Sequence, residues 1–355
     1  MEKDIQNILE KAVREHIFPG AVVGFINKQN ERHIIPVGRF EYGSTFPKVT
    51  ADTVYDTASI TKSVPVALIA MKFIEEGKLS LEEKIHTYIP ELEGERAEKG
   101  LIRHLLTYTY VLKKNSDPNF SYENSKAEDI FDFLFKRDFE FLPGTHYQYS
   151  NTPANLLGII LERISGEKLY DLSRKIILDP LEMKNSTFDP EIKSGIPPTE
   201  IISWRGKIQG EVHDETASIL QKEGFQPGCA GLFSNVPDLL NVLEMLLDNG
   251  AFRSKLIFKP ETIRLMETNV LNNIGQSASI GWELNQKSFM GNLASENTFG
   301  KTGFTGTCMV VDRNKGRAFV ILSNVVFPKR PENREKIQEI RKFVSNIILN
   351  TNDYI

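Results

Sequence analysis

Strand-like segments lie near both ends of this 355-residue chain, and the middle is helical in pattern. Residues 21–37 show two apolar, β-branched runs around a polar turn, and residues 302–323 repeat that pattern near the other end. The two ends are expected to pair in one sheet, with the helical middle inserted between them. We therefore predict an α+β fold, with one α/β domain formed by residues 1–78 and 255–355 and a mainly helical insertion at 79–254.

Several elements can be predicted along the chain. Apolar residues at helical spacing predict a helix from about Ile60 to Glu76, ended by Gly77. Residues 190–227 are polar, contain prolines and are weakly periodic, so we expect an extended loop there. A terminal helix is predicted over Glu332 to Leu349.

Three short motifs follow one another in the order that one catalytic site would need. They are Ser59-Ile-Thr-Lys62, Tyr149-Ser-Asn151 and Lys301-Thr-Gly303. On a helix, a serine and a lysine three residues apart share one face, with Cβ atoms about 5 to 6 Å apart. The lysine could then take the proton of the serine. Together the motifs predict a serine hydrolase that works through an acyl-enzyme.

The chain also contains a second copy of each motif, so local context must separate the two sets. Ser165-Gly-Glu-Lys168 closes an apolar run, where Ser-Gly predicts the end of a helix. Tyr122-Glu-Asn124 lies in a polar stretch, and Lys193-Ser-Gly195 runs into two prolines, which an interior strand does not tolerate. Ser59 instead precedes a helix, as a nucleophile requires. Only the first set therefore fits a site.

Composition and spacing exclude several other classes of protein. A net charge of -4 and a pI near 6.0 argue against a nucleic-acid surface. The six histidines lack metal-binding spacing, and Cys229 and Cys308 are far apart, so we predict no metal and no cofactor. A cysteine nucleophile at Cys229 is disfavoured because it has no evident histidine partner. The Gly-x-Ser-x-Gly elbow of α/β-hydrolases is absent from the sequence.

The expected location rests on the N-terminus. It opens an amphipathic helix and lacks the apolar core of a signal peptide, so a chain that starts natively at Met1 is expected to be cytoplasmic. A trimmed sequence would remove that inference and leave a periplasmic or secreted protein open. No apolar run approaches the ~20 residues of a membrane span. Oligomeric state is not predicted.

Further segments carry a likeness to a known family. They are Gly77-Lys-Leu-Ser-Leu81, Phe141-Leu-Pro-Gly144, Pro180-Leu-Glu-Met183, Gly210-Glu-Val-His-Asp214, Ala230-Gly-Leu-Phe-Ser234 and Phe299-Gly-Lys-Thr-Gly-Phe-Thr-Gly306. With the three motifs, they make the chain resemble the class C β-lactamase and penicillin-binding-protein superfamily, especially its esterase-like and carboxypeptidase-like branch. The resemblance implies a β-lactamase/transpeptidase-like fold, with an antiparallel sheet flanked by terminal helices and a helical domain. The site would lie between the two.

The chain departs from this family at one loop beside the expected site. Where the family often has Leu-Leu-Thr-His-Thr-Ser-Gly-Leu, this chain has Tyr108 in place of histidine and Tyr110-Val111 in place of Ser-Gly. Val111 cannot easily adopt a positive φ, so we expect the loop to take a different shape. The family pattern also changes at Glu182 and Cys229, without direct effect on the chemistry.

Catalytic roles follow from residue chemistry. Ser59 is the predicted nucleophile. Lys62 can accept or relay its proton only if burial and a nearby cation, Lys301, lower the pKa of Lys62. Tyr149 is the predicted partner base and acid, since two lysines could stabilise a phenolate. Asn151 would orient Lys62 or a substrate amide.

The resemblance implies an oxyanion hole formed by the backbone N–H groups of Ser59 and Phe304. Substrate contacts are expected from Asn151, Thr302, Gly303 and His213. For His213 and the adjacent Asp214, hydrogen-bonded scaffolding is an equal alternative.

The substrate is the least constrained part of the prediction. Phe304 would narrow the space beside an acyl group, so we expect esterase or amidase action on small ester, amide or peptide substrates, including D-amino-acid compounds. The alternatives are a β-lactamase, a D-alanyl-D-alanine carboxypeptidase, and a catalytically silent binding protein of the same fold.

Overall fold

The computed structural model describes residues 1–114 and 120–350. The helices are α1 Glu2–Arg14, α2 Leu68–Glu75, α3 Glu95–Lys99, α4 Ile102–Leu106, α5 Ala127–Lys136, α6 Thr152–Ser165, α7 Leu169–Ser173, α8 Glu215–Lys222, α9 Val236–Leu247, α10 Pro260–Met266, α11 Lys287–Met290 and α12 Glu335–Ile348. The strands are β1 Gly20–Ile26, β2 Arg32–Gly38, β3 Tyr55–Asp56, β4 Glu200–Ile202, β5 Gly206–Ile208, β6 Phe233–Ser234, β7 Ala251–Phe252, β8 Lys255–Leu256, β9 Glu283–Leu284, β10 Phe299–Thr302, β11 Cys308–Asp312 and β12 Arg317–Ser323.

The main sheet joins strands from both ends of the chain. Its order is β2-β1-β12-β11-β10-β9, and every neighbouring pair is antiparallel. β1 lies between β2 and β12, with Val23 opposite Ile321. The predicted α+β architecture is confirmed. The domain limits at residues 78/79 and 254/255 stay a prediction.

Both faces of the sheet are covered, because alternate side chains of a strand point to opposite sides. Val23 and Ile321 pack with the terminal helices α1 and α12 in one apolar cluster. Val22 and Leu322 pack with α9 and α2 in the other. The central strands therefore read as continuous apolar runs, which is why the sequence revealed them.

The segment after Ser59 is helical but irregular. A 3-10 turn, Ala58–Lys62, leads into a π-helical turn, Ser63–Ala67, before α2 begins. The irregularity falls at Val64, whose φ of -119° and ψ of 110° are not helical. A residue that precedes proline is disfavoured in the α region, which accounts for the break. The predicted continuous helix was therefore wrong in its first turns.

Residues 190–227 also differ from the prediction of an extended loop. They contain the β4–β5 hairpin and α8. Asp214 is the N-cap of α8, and its Oδ1 accepts the N–H of Ala217 at 2.9 Å. This capping signal was present in the sequence.

The second copies of the motifs lie in the contexts expected for them. Ser165 ends α6, and Gly166 follows with a φ of 70°. Tyr122–Asn124 and Lys193–Gly195 are single 3-10 turns. Over the two described ranges, no helix is long and apolar enough to cross a membrane.

Candidate active site

Ser59 and Lys62 face each other across the 3-10 turn. The Nζ of Lys62 donates to Ser59 Oγ at 2.8 Å and to the carbonyl of Cys229 at 2.7 Å. Ala58 adopts a φ of 49°, and its N–H donates to the carboxylate of Asp56 at 2.8 Å. A left-handed residue directly before the serine turns the chain so that the hydroxyl meets the amine.

The electrostatics of Lys62 differ from the prediction. Burial lowers its pKa, but the acidic groups around it, Tyr149 first and then Cys229, Asp214 and Tyr108, each negative when ionised, together raise it by more than burial lowers it, so the pKa of Lys62 lies above its ordinary value. The expected lowering by Lys301 is therefore wrong. In the free protein Lys62 is an ammonium that donates to the serine.

The second and third motifs meet at a pair of tilted tyrosine rings, those of Tyr108 and Tyr149. The Nζ of Lys301 lies 4.3 Å from the centroid of the Tyr149 ring and 4.5 Å from that of Tyr108. Lys62 Nζ lies 5.3 Å from the Tyr149 centroid. Tyr149 is 42% exposed, and its hydroxyl forms no hydrogen bond with the described residues. The structure thus brings Ser59, Lys62, Tyr149 and Lys301 together.

Glu283 is a member of this cluster that the sequence analysis missed. It forms an ion pair with Lys301 at 2.9 Å. The lysine side chain is 0% exposed, and that of Glu283 is 16% exposed. Burial lowers the pKa of Lys301, but Glu283 raises it well above the ordinary value. The one available signal was a single carboxylate inside the short strand that pairs with β10.

The loop that departs from the family pattern carries its strain at Tyr108. This residue has a φ of 54° and is buried, while Val111 does not have a positive φ. The carbonyl of Tyr108 accepts the N–H of Gln148 at 3.0 Å, which ties the loop to the segment of Tyr149. The Tyr108 and Tyr149 rings lie 5.1 Å apart. The altered loop therefore forms one wall of the site.

A tight turn follows β10 and approaches the serine. Within this oxyanion turn, Gly303–Thr307, the N–H of Gly303 donates to the carbonyl of Thr307 at 2.8 Å. The hydroxyls of Thr305 and Thr307 donate to the carbonyls of Asp56 and Thr57, at 2.8 and 2.9 Å. These bonds fasten the turn to the residues just before Ser59.

Two backbone donors at this junction have no acceptor. Within the part of the chain that the structure describes, the N–H groups of Ser59 and Phe304 make no hydrogen bond. They are the pair expected to form an oxyanion hole, and both remain available to a ligand.

The predicted substrate contacts have different environments. Asn151 Nδ2 donates to Asp214 Oδ2 at 2.9 Å instead of contacting Lys62. Thr302 is half-buried at the end of β10, opposite Cys308. A role of these two side chains in substrate binding stays a prediction.

His213 is held inside the protein. It is 2% exposed, its ring nitrogen Nε2 lies 2.8 Å from Glu200, and its backbone N–H donates to Asp56 at 2.8 Å. Its ring stacks on that of Phe304, with centroids 5.4 Å apart. These contacts favour the scaffold alternative over substrate contact.

Both cysteines are buried free thiols. Burial raises the pKa of Cys229 far above its usual range and that of Cys308 to about 11. A neutral buried thiol is a poor nucleophile, which agrees with the preference for serine.

Comparison with known proteins identifies the family. The model of the Beta-lactamase family matches residues 5–342. The chain belongs to the Beta-lactamase family. It therefore has the fold of these serine hydrolases, as the resemblance implied.

Relatives in this family differ in their named activities. A protein of Escherichia coli (strain K12) named "Putative D-alanyl-D-alanine carboxypeptidase" is 28% identical over 310 residues, covering 78% of this chain and 70% of that one. The solved structure of EstCE1, a hydrolase with promiscuous acyltransferase activity, has a TM-score of 0.76 at 20% identity, covering 97% and 98% of the two chains. D-amino acid amidase from Ochrobactrum anthropi SV3 has a TM-score of 0.73 at 19% identity, covering 97% of each. The last two likenesses concern the fold.

Proposed function

We propose that this protein is a serine esterase or amidase that forms a covalent acyl-enzyme on Ser59. The observation that carries the proposal is the 2.8 Å hydrogen bond between Lys62 Nζ and Ser59 Oγ. Lys62 is itself fixed by the Cys229 carbonyl, so the pair is preorganised.

The proposed reaction has two stages. Ser59 Oγ attacks the substrate carbonyl carbon as its proton passes to the phenolate form of Tyr149. The bond to the leaving group then breaks, and the leaving group takes that same proton from Tyr149. Water then attacks the acyl-enzyme, releasing the acid and restoring the serine. Lys62 and Lys301, both ammonium groups near the Tyr149 ring, stabilise negative charge during the transfer.

The oxyanion of each tetrahedral intermediate would accept from the N–H groups of Ser59 and Phe304. Gly303 allows the close approach, because a Cβ there would lie 2.0 Å from Thr307 Oγ1. Asn151 and Thr302 would contact the substrate from either side of the serine.

Small neutral acyl groups suit the site best. Phe304 is 41% exposed on the oxyanion turn, so its ring limits the space beside the serine. Lys301 is fully buried and paired with Glu283, so it does not present its charge to a substrate carboxylate. Both features favour uncharged esters and amides, including those of D-amino acids.

A D-alanyl carboxypeptidase is the second candidate, and one observation favours it. Arg334 lies with its Cζ 4.0 Å from the Phe304 ring centroid and donates to the Phe304 carbonyl at 2.7 Å. Among the described residues it has no carboxylate partner. A terminal carboxylate of a peptide could pair with it. Arg334→Gln would then weaken cleavage of a D-alanyl-D-alanine peptide much more than that of a neutral ester, whereas an esterase would show equal effects.

Covalent labelling tests the proposal. We expect a fluorophosphonate to add one adduct to the wild type and none to Ser59→Ala, measured by intact mass. Ser165→Ala is the matched control, since in the described part of the chain its hydroxyl bonds only to nearby backbone groups at the end of α6, donating to the Leu161 carbonyl at 2.8 Å and accepting the Glu167 N–H at 3.1 Å, and it should label like the wild type. An unlabelled wild type would favour the silent binding protein, and an adduct that persists in Ser59→Ala would refute the nucleophile.

A substrate panel then separates the candidates. p-Nitrophenyl esters, D-amino-acid amides, D-alanyl-D-alanine peptides and nitrocefin should be compared by kcat/KM. We expect the short-chain esters and the amides to be cleaved fastest and nitrocefin slowest.

A further inference from the structure

Arg341 is a buried cation directly behind the oxyanion turn, and the proposed reaction does not yet use it. It lies on α12 and is 4% exposed. Its Nη2 donates to the carbonyls of Gly303 and Thr307, at 3.1 and 2.9 Å. No carboxylate of residues 1–114 or 120–350 forms an ion pair with it, and its Nε has no hydrogen-bond partner there. A buried guanidinium without a counter-charge is costly, so its position requires an explanation.

The carbonyl that Arg341 binds belongs to the same peptide group as a proposed oxyanion donor. That peptide joins Gly303 to Phe304, so its oxygen faces the guanidinium and its N–H is the free donor. A charge-assisted bond to a carbonyl draws electron density from the amide and strengthens its N–H as a donor. Because the Thr307 carbonyl also accepts from Gly303, Arg341 holds both ends of the turn.

We infer that Arg341 is a positioning residue for acyl transfer, which polarises the Gly303–Phe304 peptide and orients its N–H toward the oxyanion. The inference rests on the proposed function. The interaction of the Arg341 guanidinium with the substrate oxygen becomes more favourable as negative charge develops on that oxygen. Arg341 would therefore stabilise the transition state more than the bound substrate.

A purely structural role would have different consequences. An arginine that only connects α12 to the turn contributes to the stability of the fold. Its replacement would lower the free energy of unfolding but would leave the acylation rate and the boronate affinity of the folded enzyme unchanged. Arg317 provides the matched control, because it is also a buried arginine, 2% exposed, and donates to the carbonyls of Ile348 and Asn350.

The test compares Arg341→Met with Arg317→Met. The burst of p-nitrophenol from p-nitrophenyl acetate gives the acylation rate, and inhibition by phenylboronic acid reports binding of a tetrahedral oxyanion mimic. Losing an oxyanion donor outright costs about 100- to 1,000-fold. Weakening one donor without removing it should cost less, about tenfold in the acylation rate and in the affinity for the boronate. The substrate dissociation constant, taken from the concentration dependence of the burst rate, should stay within about twofold of the wild-type value. Arg317→Met should change neither the acylation rate nor the boronate affinity.

Arg341→Lys keeps the inference testable if the methionine variant does not fold. A buried lysine has a lowered pKa and loses its positive charge as the pH rises, whereas an arginine keeps its charge. The acylation rate of Arg341→Lys, relative to that of the wild type, should therefore fall with increasing pH. A constant ratio across pH, or a burst in Arg341→Met equal to that of the wild type, would overturn the inference. Failure of the proposed function would be distinct, because the wild type itself would then give no adduct on Ser59.

Discussion

Replacing Glu283 by glutamine removes the counter-charge of a fully buried lysine. Lys301 and Glu283 lie 2.9 Å apart, and at an effective dielectric constant of about 20 their attraction amounts to about 6 kcal/mol. Glutamine still offers an oxygen to the lysine, and water reaches the 16% of the Glu283 side chain that is exposed. We therefore expect Glu283→Gln to lower the free energy of unfolding by about 3 kcal/mol near neutral pH, the lower end for a broken buried pair.

The difference in the free energy of unfolding between the wild type and Glu283→Gln should become smaller as the pH rises. In the wild type Glu283 raises the pKa of Lys301 above its unfolded value, so the stability from the pair is complete at neutral pH and is lost only as the pH passes the folded pKa. In Glu283→Gln, burial instead lowers the pKa of Lys301 below the unfolded value. The unfolded variant then binds more protons than the folded one, so the variant gains stability with pH.

Urea unfolding followed by circular dichroism, at about pH 7 and about pH 9.5, measures both effects. Glu91→Gln is the control, since Glu91 and Arg163 form an exposed pair with side chains 44% and 37% accessible. It should lose at most about 1 kcal/mol, equally at both pH values. The reasoning is refuted if Glu283→Gln lowers the free energy of unfolding by less than about 1 kcal/mol near neutral pH. It is also refuted if the difference from the wild type is as large at about pH 9.5 as at about pH 7.

Three further predictions concern the oxyanion turn and the buried thiol. Gly303→Ala would place a Cβ 2.5 Å from the Thr57 carbonyl oxygen, so the turn must shift and burst acylation should slow about 100-fold while circular dichroism stays native. Phe304→Ala should raise kcat/KM for butyrate and benzoate esters relative to that for acetate esters, because it removes the ring that narrows the space for the acyl group. If the ratio of these kcat/KM values is the same as in the wild type, the Phe304 ring does not limit acyl size. Cys229 should react with a thiol reagent only after unfolding, because it is buried with a raised pKa, and Cys229→Ala should label on Ser59 like the wild type.

Local pattern was sufficient to predict the central strands of the sheet and the proximity of Ser59 and Lys62. The central strands β1, β11 and β12 are buried along their whole length, so their apolar runs stand out in the sequence. Ser59 and Lys62 are three residues apart, and any helical turn places them on one face. The irregular geometry of this segment did not separate the two side chains, because both residues lie within the single 3-10 turn Ala58–Lys62.

Features that depend on several distant segments could not be predicted in this way. Glu283 meets Lys301 only through the register of β9 against β10, and β9 is two residues long. The raised pKa of Lys62 comes from groups in four other segments, at Tyr149, Cys229, Asp214 and Tyr108. Arg341 lies in an amphipathic helix where one arginine among lysines and glutamates gives no sign of burial.

The cluster around Lys301 shows how the altered loop and the missed carboxylate act together. A residue such as Tyr108 at positive φ costs about 1 to 2 kcal/mol, and the structure holds it there by the bond from Gln148 and by contact of its ring with Lys301. Its ring and that of Tyr149 cover the ammonium on two sides, while Glu283 neutralises its charge. Under the proposed function, we expect a lysine enclosed in this way to act on Tyr149 rather than on a charged substrate. We therefore predict that the tyrosine at position 108, which departs from the family pattern, favours neutral esters and amides over peptides that end in a carboxylate.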